Sequence, residues 1–335
     1  MRVAFIGVSH WHIGLYLDPF LDLIRAGELD AELVGMADPD PAVVDGFKAR
    51  LGCDGDTDYR ALCERTKPDF VFALGRHCDM AEEAAYLIEA GIPFAIEKPC
   101  GLNGAEVERL ADLAERKGSF AAVPLVLRNG GFLATVDPMV AREGVHYATF
   151  RFVAGSAKRY LDNGCAWMLD PKLSGGGCTV NLAVHFFDIC QMWFGGPDLK
   201  VVSSTMSNAA WGFPVEDYSA VTLASGSKTC VIESGYLYPA PTNVFDMHYA
   251  VKTGSHYVTA WGPKALEIRD YDGKGEMLDV SNTNVPHYRD FVIDVLARSA
   301  AGRPPLASLR DMARAFRLID EAYRLAQPLA VARAG

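Results

Sequence analysis

The sequence predicts an α/β protein in two parts, and three observations carry that prediction. Short apolar runs alternate with amphipathic helical stretches over residues 1–125, the pattern of a parallel sheet with helices on both faces. Beyond that point the chain turns to β-type runs that alternate apolar and polar residues, as a mainly antiparallel sheet with one solvated face would. A chain of 335 residues is also long for a single core. The expected division is 1–125 and 126–335, with C-terminal helices over 286–326 packing back toward the first domain.

Each element has its own signal. The run 3–6 is a short apolar strand ended by Gly7, and a helix follows over 12–26, with Ile13, Leu17, Phe20, Leu21 and Ile24 on its apolar face. A second strand over 31–37 ends at Asp38. Asp40 is suited to cap a helix over 41–50, with Pro41 at its first position. Strands over 68–74, 92–96 and 120–125 alternate with helices over 80–90 and 107–117, which stop at Gly91 and Gly118. In the second part, strands are expected over 146–153, 201–206, 218–223, 228–236, 244–252, 257–261 and 266–270. A loop spans 155–177 and a helix follows it. Helices return over 286–300 and 308–326, the last one capped by Ser308 after the rigid Pro304-Pro305 break.

Composition excludes several classes. Net charge is −10 with the basic residues scattered, which argues against a nucleic acid or an anionic membrane as partner. No apolar run has the length of a membrane span, and the start has neither a secretory apolar region nor a cleavage site. The eight cysteines show no CxxC and no Cys/His metal spacing, so no metal is expected; buried reduced thiols in a cytoplasmic protein are.

Chemistry is expected at four places. The first strand-to-helix turn reads Gly7-Val8-Ser9-His10-Trp11-His12, keeping only the first glycine of a dinucleotide fingerprint. Asp38 at the end of the second strand is placed to accept ribose hydroxyls and repel a 2′-phosphate, which favours NAD over NADP; otherwise it is a surface acid. Glu97-Lys98-Pro99 follows the strand at 92–96, where side chains face the ligand crevice of a parallel sheet, or where a solvated charge pair caps the strand. The stretch 174–188 holds Gly175, Gly176 and Gly177, then a helical pattern with Leu182, Phe186, Ile189, Cys190 and Trp193 on one face. Asn181 and His185 share another face, and Asp188 lies three residues on. The glycines suit a sharp turn close to a ligand. Taken alone, the stretch fits a site and a glycine loop with a satisfied half-buried histidine equally well.

Together, in this order, the degenerate turn, Glu-Lys-Pro and GGG…HxxD resemble the glucose–fructose oxidoreductase / inositol dehydrogenase / MocA (Gfo/Idh/MocA) family over essentially the whole chain. Arg128 and the C-terminal run 288–323 fit as well. The resemblance implies a Rossmann domain followed by an α+β domain with a large open-faced, mainly antiparallel sheet, and a homodimer or homotetramer formed through the open face. It implies hydride transfer between NAD and a carbinol or keto carbon of a sugar, polyol or related ring. Its motif lysine corresponds to Lys98, with a cis bond to Pro99, and its motif histidine to His185. These two are the expected proton-relay residues, with Asn181 beside them. Cofactor contacts are expected from Gly7, Ser9, His10, Trp11, His12, Asp38, Leu74, Gly75, His77, Glu97 and Lys98. Arg128, Trp167, Asp170, Asn181 and His185 are the expected substrate contacts, with Arg159, Tyr160, Tyr236 and His248 behind them. This chain departs from the family where Asn181 stands for an aspartate, where Gly75-Arg76-His77 replaces a proline-containing turn, and where Met80 stands for a histidine. Two other outcomes stay open: glycoside cleavage or elimination through transient ring oxidation, and a non-catalytic NAD-binding regulator.

Overall fold

The computed structural model describes residues 1–239 and 245–326. Over these residues the chain forms two compact units. One comprises Met1–Pro124, Asn163–Cys165 and Tyr288–Ala313; the other comprises the described residues of 125–162, 166–287 and 314–326.

The first unit begins with β1 (Arg2–Ile6), α1 (Ile13–Arg25), β2 (Glu32–Ala37), α2 (Pro41–Leu51), β3 (Asp54–Asp56) and α3 (Tyr59–Thr66). It continues with β4 (Phe70–Ala73), α4 (His77–Glu89), β5 (Phe94–Ile96), α5 (Gly104–Lys117) and β6 (Ala121–Ala122). The six strands form one parallel sheet in the order β3-β2-β1-β4-β5-β6. Its central strands are continuous apolar runs because helices cover both faces. Phe5 stacks on Phe72 across β1 and β4, and Phe20 of α1 meets Phe5 edge-on. The order reverses between β1 and β4, so the turns after those two strands flank the position where such sheets bind ligands. Asp40 caps α2 as expected, its carboxylate accepting the Ala42 N–H at 2.9 Å. Sequence periodicity missed β3 and α3. β3 is three polar or glycine residues on the sheet edge, and α3 is one short, mostly polar helix held by its Asp58 cap.

The second unit holds α6 (Gly131–Glu143), β7 (Val145–Gly155), α7 (Arg159–Asp162), α8 (Pro171–Ser174), α9 (Cys178–Asn181) and α10 (Val184–Phe194). Its remaining strands are β8 (Lys200–Ser207), β9 (Tyr218–Ser225), β10 (Lys228–Tyr238), β11 (Asp246–Thr253), β12 (His256–Trp261), β13 (Ala265–Asp270) and β14 (Gly275–Asp279). They form an eight-stranded sheet, β14-β13-β12-β11-β7-β10-β9-β8, antiparallel except where β7 and β10 pair in parallel. Inward-facing Phe150 and Tyr249 on β7 and β11 pack with Phe186 and Trp193 of α10. The expected strand start at Val244 lies outside the described residues; β11 is described from Asp246. Helix α6 and strand β14 escaped the sequence reading, the first because Pro138 interrupts its pattern, the second because it is short and exposed.

The last helices are α11 (Tyr288–Ala300) and α12 (Leu309–Leu325). Ser308 caps α12 reciprocally with Asp311: the Asp311 carboxylate accepts the Ser308 N–H at 2.8 Å, and the Ser308 hydroxyl faces the Asp311 N–H. All eight cysteines are free thiols; Cys53 and Cys78 are half-buried and the other six buried.

Candidate active site

In the first unit the candidate residues gather on the C-terminal ends of β1, β2, β4 and β5. Gly7 has φ +69°, and a Cβ there would lie 2.3 Å from the Gly75 backbone nitrogen, so the turns after β1 and β4 touch main chain to main chain. Leu74 and His77, on either side of Gly75 and Arg76, are buried. Asp38 is buried at the tip of β2. Its two oxygens accept the Ser9 N–H at 2.6 Å and the Asp40 N–H at 3.1 Å, which ties the β1 turn to the β2 end. An ionised carboxylate has lone pairs beyond these two bonds. The acid is thus a built part of this crevice rather than a loose surface group.

Ser9 and His12 stand at the two places of the turn where a dinucleotide fingerprint has its second and third glycines, and His10 lies between them. The His12 N–H bonds to Nδ1 of His10 at 3.1 Å, and Trp11 lies 3.9 Å from the His12 ring, centroid to centroid. Glu97 is the hub beneath them. Its Oε1 sits 2.6 Å from Nδ1 of His12 and accepts the Tyr16 hydroxyl at 2.8 Å, while Oε2 accepts the Lys98 N–H at 2.6 Å. Tyr288, brought in by α11, aims its hydroxyl at the same Oε1 from 3.5 Å. Burial would raise the Glu97 carboxyl, but His12, Lys98 and His10 outweigh it and hold the acid well below the usual range. Burial pushes His10 down, and His12 and Lys98 add to that. Burial together with the Glu97 charge pushes Tyr16 and Tyr288 up. Lys98 is buried, its bond to Pro99 is cis, and Cys100 follows with φ +69°.

In the second unit the structure corrects the reading of the stretch after the three glycines as one helix. α9 ends at Asn181 and α10 begins at Val184, so Asn181 and His185 stand on two separate helices and share no helix face. Two of the glycines are also required by the fold itself. A Cβ on Gly176 would lie 2.0 Å from the Tyr323 hydroxyl, and one on Gly177 2.0 Å from the Glu216 carbonyl oxygen. Glu216 then accepts the N–H groups of Gly177 and Thr179, both at 2.9 Å, and the Tyr323 hydroxyl at 2.7 Å. Gly175, at φ +76°, ends α8.

Asn181 is 2% exposed. Its amide nitrogen donates to the hydroxyl oxygens of Tyr160 at 2.6 Å and Tyr236 at 3.0 Å. Arg159 donates to the Tyr160 hydroxyl oxygen at 2.9 Å, and its guanidinium lies over the rings of both tyrosines, 4.8 and 5.0 Å from their centroids. His185 is buried on the first turn of α10. It lines a small, partly open pocket with Leu127, Phe152, Leu182, Phe186, Tyr249 and Asn284.

Other expected contacts have structural occupations. Arg128 forms a two-pronged ion pair with Asp188, at 2.8 Å from Nε and 2.5 Å from Nη2. Asp170 caps α8 through the Lys172 N–H at 2.9 Å, and Trp167 is half-buried in the turn before it. His248 lies on β11, its ring 4.0 Å from that of Trp261. Tyr16 and Glu216 were missed by the sequence reading, while Tyr288 and Tyr323 entered it only as the ends of the C-terminal run that fits the family. Tyr16 had a signal, four residues after His12, which opens its helix.

The first unit fits a dinucleotide: the leading glycine is retained in the left-handed conformation, and a buried carboxylate ends β2. Comparison with known proteins agrees. The sequence model of the oxidoreductase family with NAD-binding Rossmann fold matches residues 1–124, and the Gfo/Idh/MocA C-terminal domain matches residues 145–252. A protein of Amycolatopsis mediterranei (strain S699), named for the oxidoreductase subunit of UDP-kanosamine synthase, is 27% identical over 177 residues, 52% of this chain and 48% of that protein. The match thus spans about half the length of that relative. Among solved structures, the WlbA dehydrogenase of Bordetella pertussis with NADH and UDP-GlcNAcA superposes with a TM-score of 0.82 at 16% identity, over 98% of each chain. A levoglucosan dehydrogenase with NADH and levoglucosan gives 0.82 at 12% identity, over 97% of this chain and 98% of that one. At such identities the likeness is one of fold; the two sequence models, in order and covering more than half of the residues, place this chain in the Gfo/Idh/MocA family of NAD-binding oxidoreductases.

Proposed function

We propose that this protein is an NAD-dependent dehydrogenase or reductase acting on a secondary alcohol or ketone of a sugar, free or nucleotide-linked, with Lys98 and His185 as its catalytic residues. The observation that carries the reading is Lys98, a buried cation at the C-terminal end of β5, whose backbone N–H is bonded to the Glu97 carboxylate. Bound NAD supplies the hydride acceptor and, reduced, the donor. The ammonium of Lys98 is suited to stabilise alkoxide charge on the substrate oxygen. His185 is suited to take or return the hydroxyl proton, because imidazole titrates near neutral pH. Asn181 is an amide and adds no negative charge to the site; its nitrogen is held by Tyr160 and Tyr236. Asp38 serves the adenosine ribose and disfavours a 2′-phosphate. Ser9, Gly7 and Gly75 supply backbone close to the diphosphate.

The sugar class is supported by relatives named for UDP-sugars and for levoglucosan. A homodimer or homotetramer through the large sheet is part of the same reading, supported by exposed Trp261 on β12 and Met277 on β14, at 61% and 63%. A cytoplasmic location fits the free thiols. The test is absorbance of NADH formed or consumed with a panel of free sugars, inositols and UDP-sugars. Lys98→Ala and His185→Ala are each expected to lower kcat by about 10²–10⁴-fold on the substrate found. Full turnover in both variants would remove the proposed roles.

A further inference from the structure

Glu83 is a buried carboxyl that the dinucleotide site has not yet used. It projects from α4 and is 6% exposed. A Cβ on Gly75 would lie 2.2 Å from its Oε1, so the carboxyl occupies the space that any larger residue at position 75 would need. The Gly75 N–H bonds to this carboxyl. Gly75 in turn lies against Gly7. The three residues therefore stack as carboxyl, second turn, first turn. Oε2 of Glu83 is buried and has no hydrogen-bond partner among the described residues.

The surroundings are acidic. Asp79 and Glu82 on the same helix and Asp38 at the end of β2 all act on Glu83 unfavourably. Tyr59 on α3 is neutral near pH 7. Arg76 is engaged by Asp79, its Nε 2.6 Å from that carboxylate. A buried anion here, with one oxygen unsatisfied and no ion-pair partner, is costly. A diphosphate arriving at the two turns adds further negative charge.

We infer that Glu83 is a positioning residue for the cofactor: as a neutral acid it holds the Gly75 turn against Gly7, and the dinucleotide binds to that neutral form. Burial, then Asp79, push the Glu83 carboxyl up to about 8, which puts its ionisation within reach of experiment. The sign follows from linkage. The protonated form binds, so affinity is full below that value and declines above it. NAD itself does not titrate in this range. The inference rests on dinucleotide binding and not on the sugar reading, so an inactive substrate panel leaves it untouched.

The experiment is calorimetric titration of the purified protein with NAD between pH 6.5 and 9, repeated at pH 8 in buffers of different ionisation enthalpy. The wild type is expected to bind about tenfold more weakly at pH 9 than at pH 7 and to take up about half a proton at pH 8. Glu83→Gln, neutral at every pH and still able to accept the Gly75 N–H, is expected to bind as the wild type does at pH 7, with no decline and no proton uptake at pH 8. A role in packing alone would give neither the uptake nor its loss. The proton count on the wild type stands without the variant, should Glu83→Gln fold poorly. Zero uptake by the wild type, or an unchanged decline in Glu83→Gln, would overturn the inference.

Discussion

Asp188 and Arg128 show how a residue's partner sets its role. In the sequence, Asp188 is an acid three residues beyond His185, and Arg128 an expected substrate contact. The structure joins them: both oxygens of Asp188 receive Arg128 nitrogens, and both side chains are largely withdrawn from water. Removing one partner of such a pair leaves a buried charge uncompensated. Arg128→Ala is therefore expected to lower unfolding free energy by about 3–5 kcal/mol in urea titration. A purely substrate-binding arginine would instead raise KM at unchanged stability. Asn181 tells a related story. Its amide feeds two phenol oxygens, and Arg159 feeds one of them. The amide is held among tyrosines, with a guanidinium over their rings. Asn181→Ala removes the shared donor from a buried network and is expected to cost about 1–3 kcal/mol by the same measurement.

At the scale of elements, the glycine run is best understood by what lies against it. Gly177 has a carbonyl oxygen where its Cβ would be, and main chain does not step aside. Gly176 faces side chains, the end of Tyr323 and Val180, though at φ +150°. Gly177→Ala is thus expected to destabilise by more than about 4 kcal/mol or to prevent folding, while Tyr323→Phe loses one hydrogen bond to a carboxylate and costs about 1.5–3 kcal/mol. Thermal unfolding of the two variants side by side tests the order. The clasp also explains what sequence pattern could and could not disclose. Alternating strand and helix, the tip of β2 at Asp38 and the Asp40 and Ser308 caps all follow from local periodicity and turn chemistry, and they were legible. The break between α9 and α10 was not, because residues 178–194 carry one continuous apolar pattern. Glu216 and Tyr323 lie 39 and 147 positions beyond Gly177 and Gly176, and no local rule pairs them with glycines. The same holds for Glu83, whose meaning depends on the absence of a side chain at Gly75.

For the molecule as a whole, Glu97 ties distant parts of the chain into the first unit. His12 and Tyr16 reach it from α1, Lys98 from its own strand end, and Tyr288 from the start of α11, 191 positions later in the chain. Tyr16 and Tyr288 also meet edge-to-face at 5.0 Å, and α1 packs along α11. One buried carboxylate thus helps close a unit assembled from both ends of the sequence. Its charge is stabilised by His12, Lys98 and His10 despite its burial, so its folded-state pKa lies below that of an unfolded glutamate, about 4.3. A depressed acid contributes stability that is fully present above the unfolded value and is lost as pH falls through the folded one. The wild type should therefore keep this contribution at neutral pH and shed it below about pH 4. Glu97→Gln keeps the shape but leaves the cations without their anion. It is expected to lose about 3–5 kcal/mol near pH 7 and to show a flatter decline below pH 4, so that the two urea-unfolding curves converge in acid. Parallel curves at all pH values would mean that the carboxylate holds the unit together by shape and hydrogen bonding alone, and that its charge contributes nothing to closing the two ends of the chain.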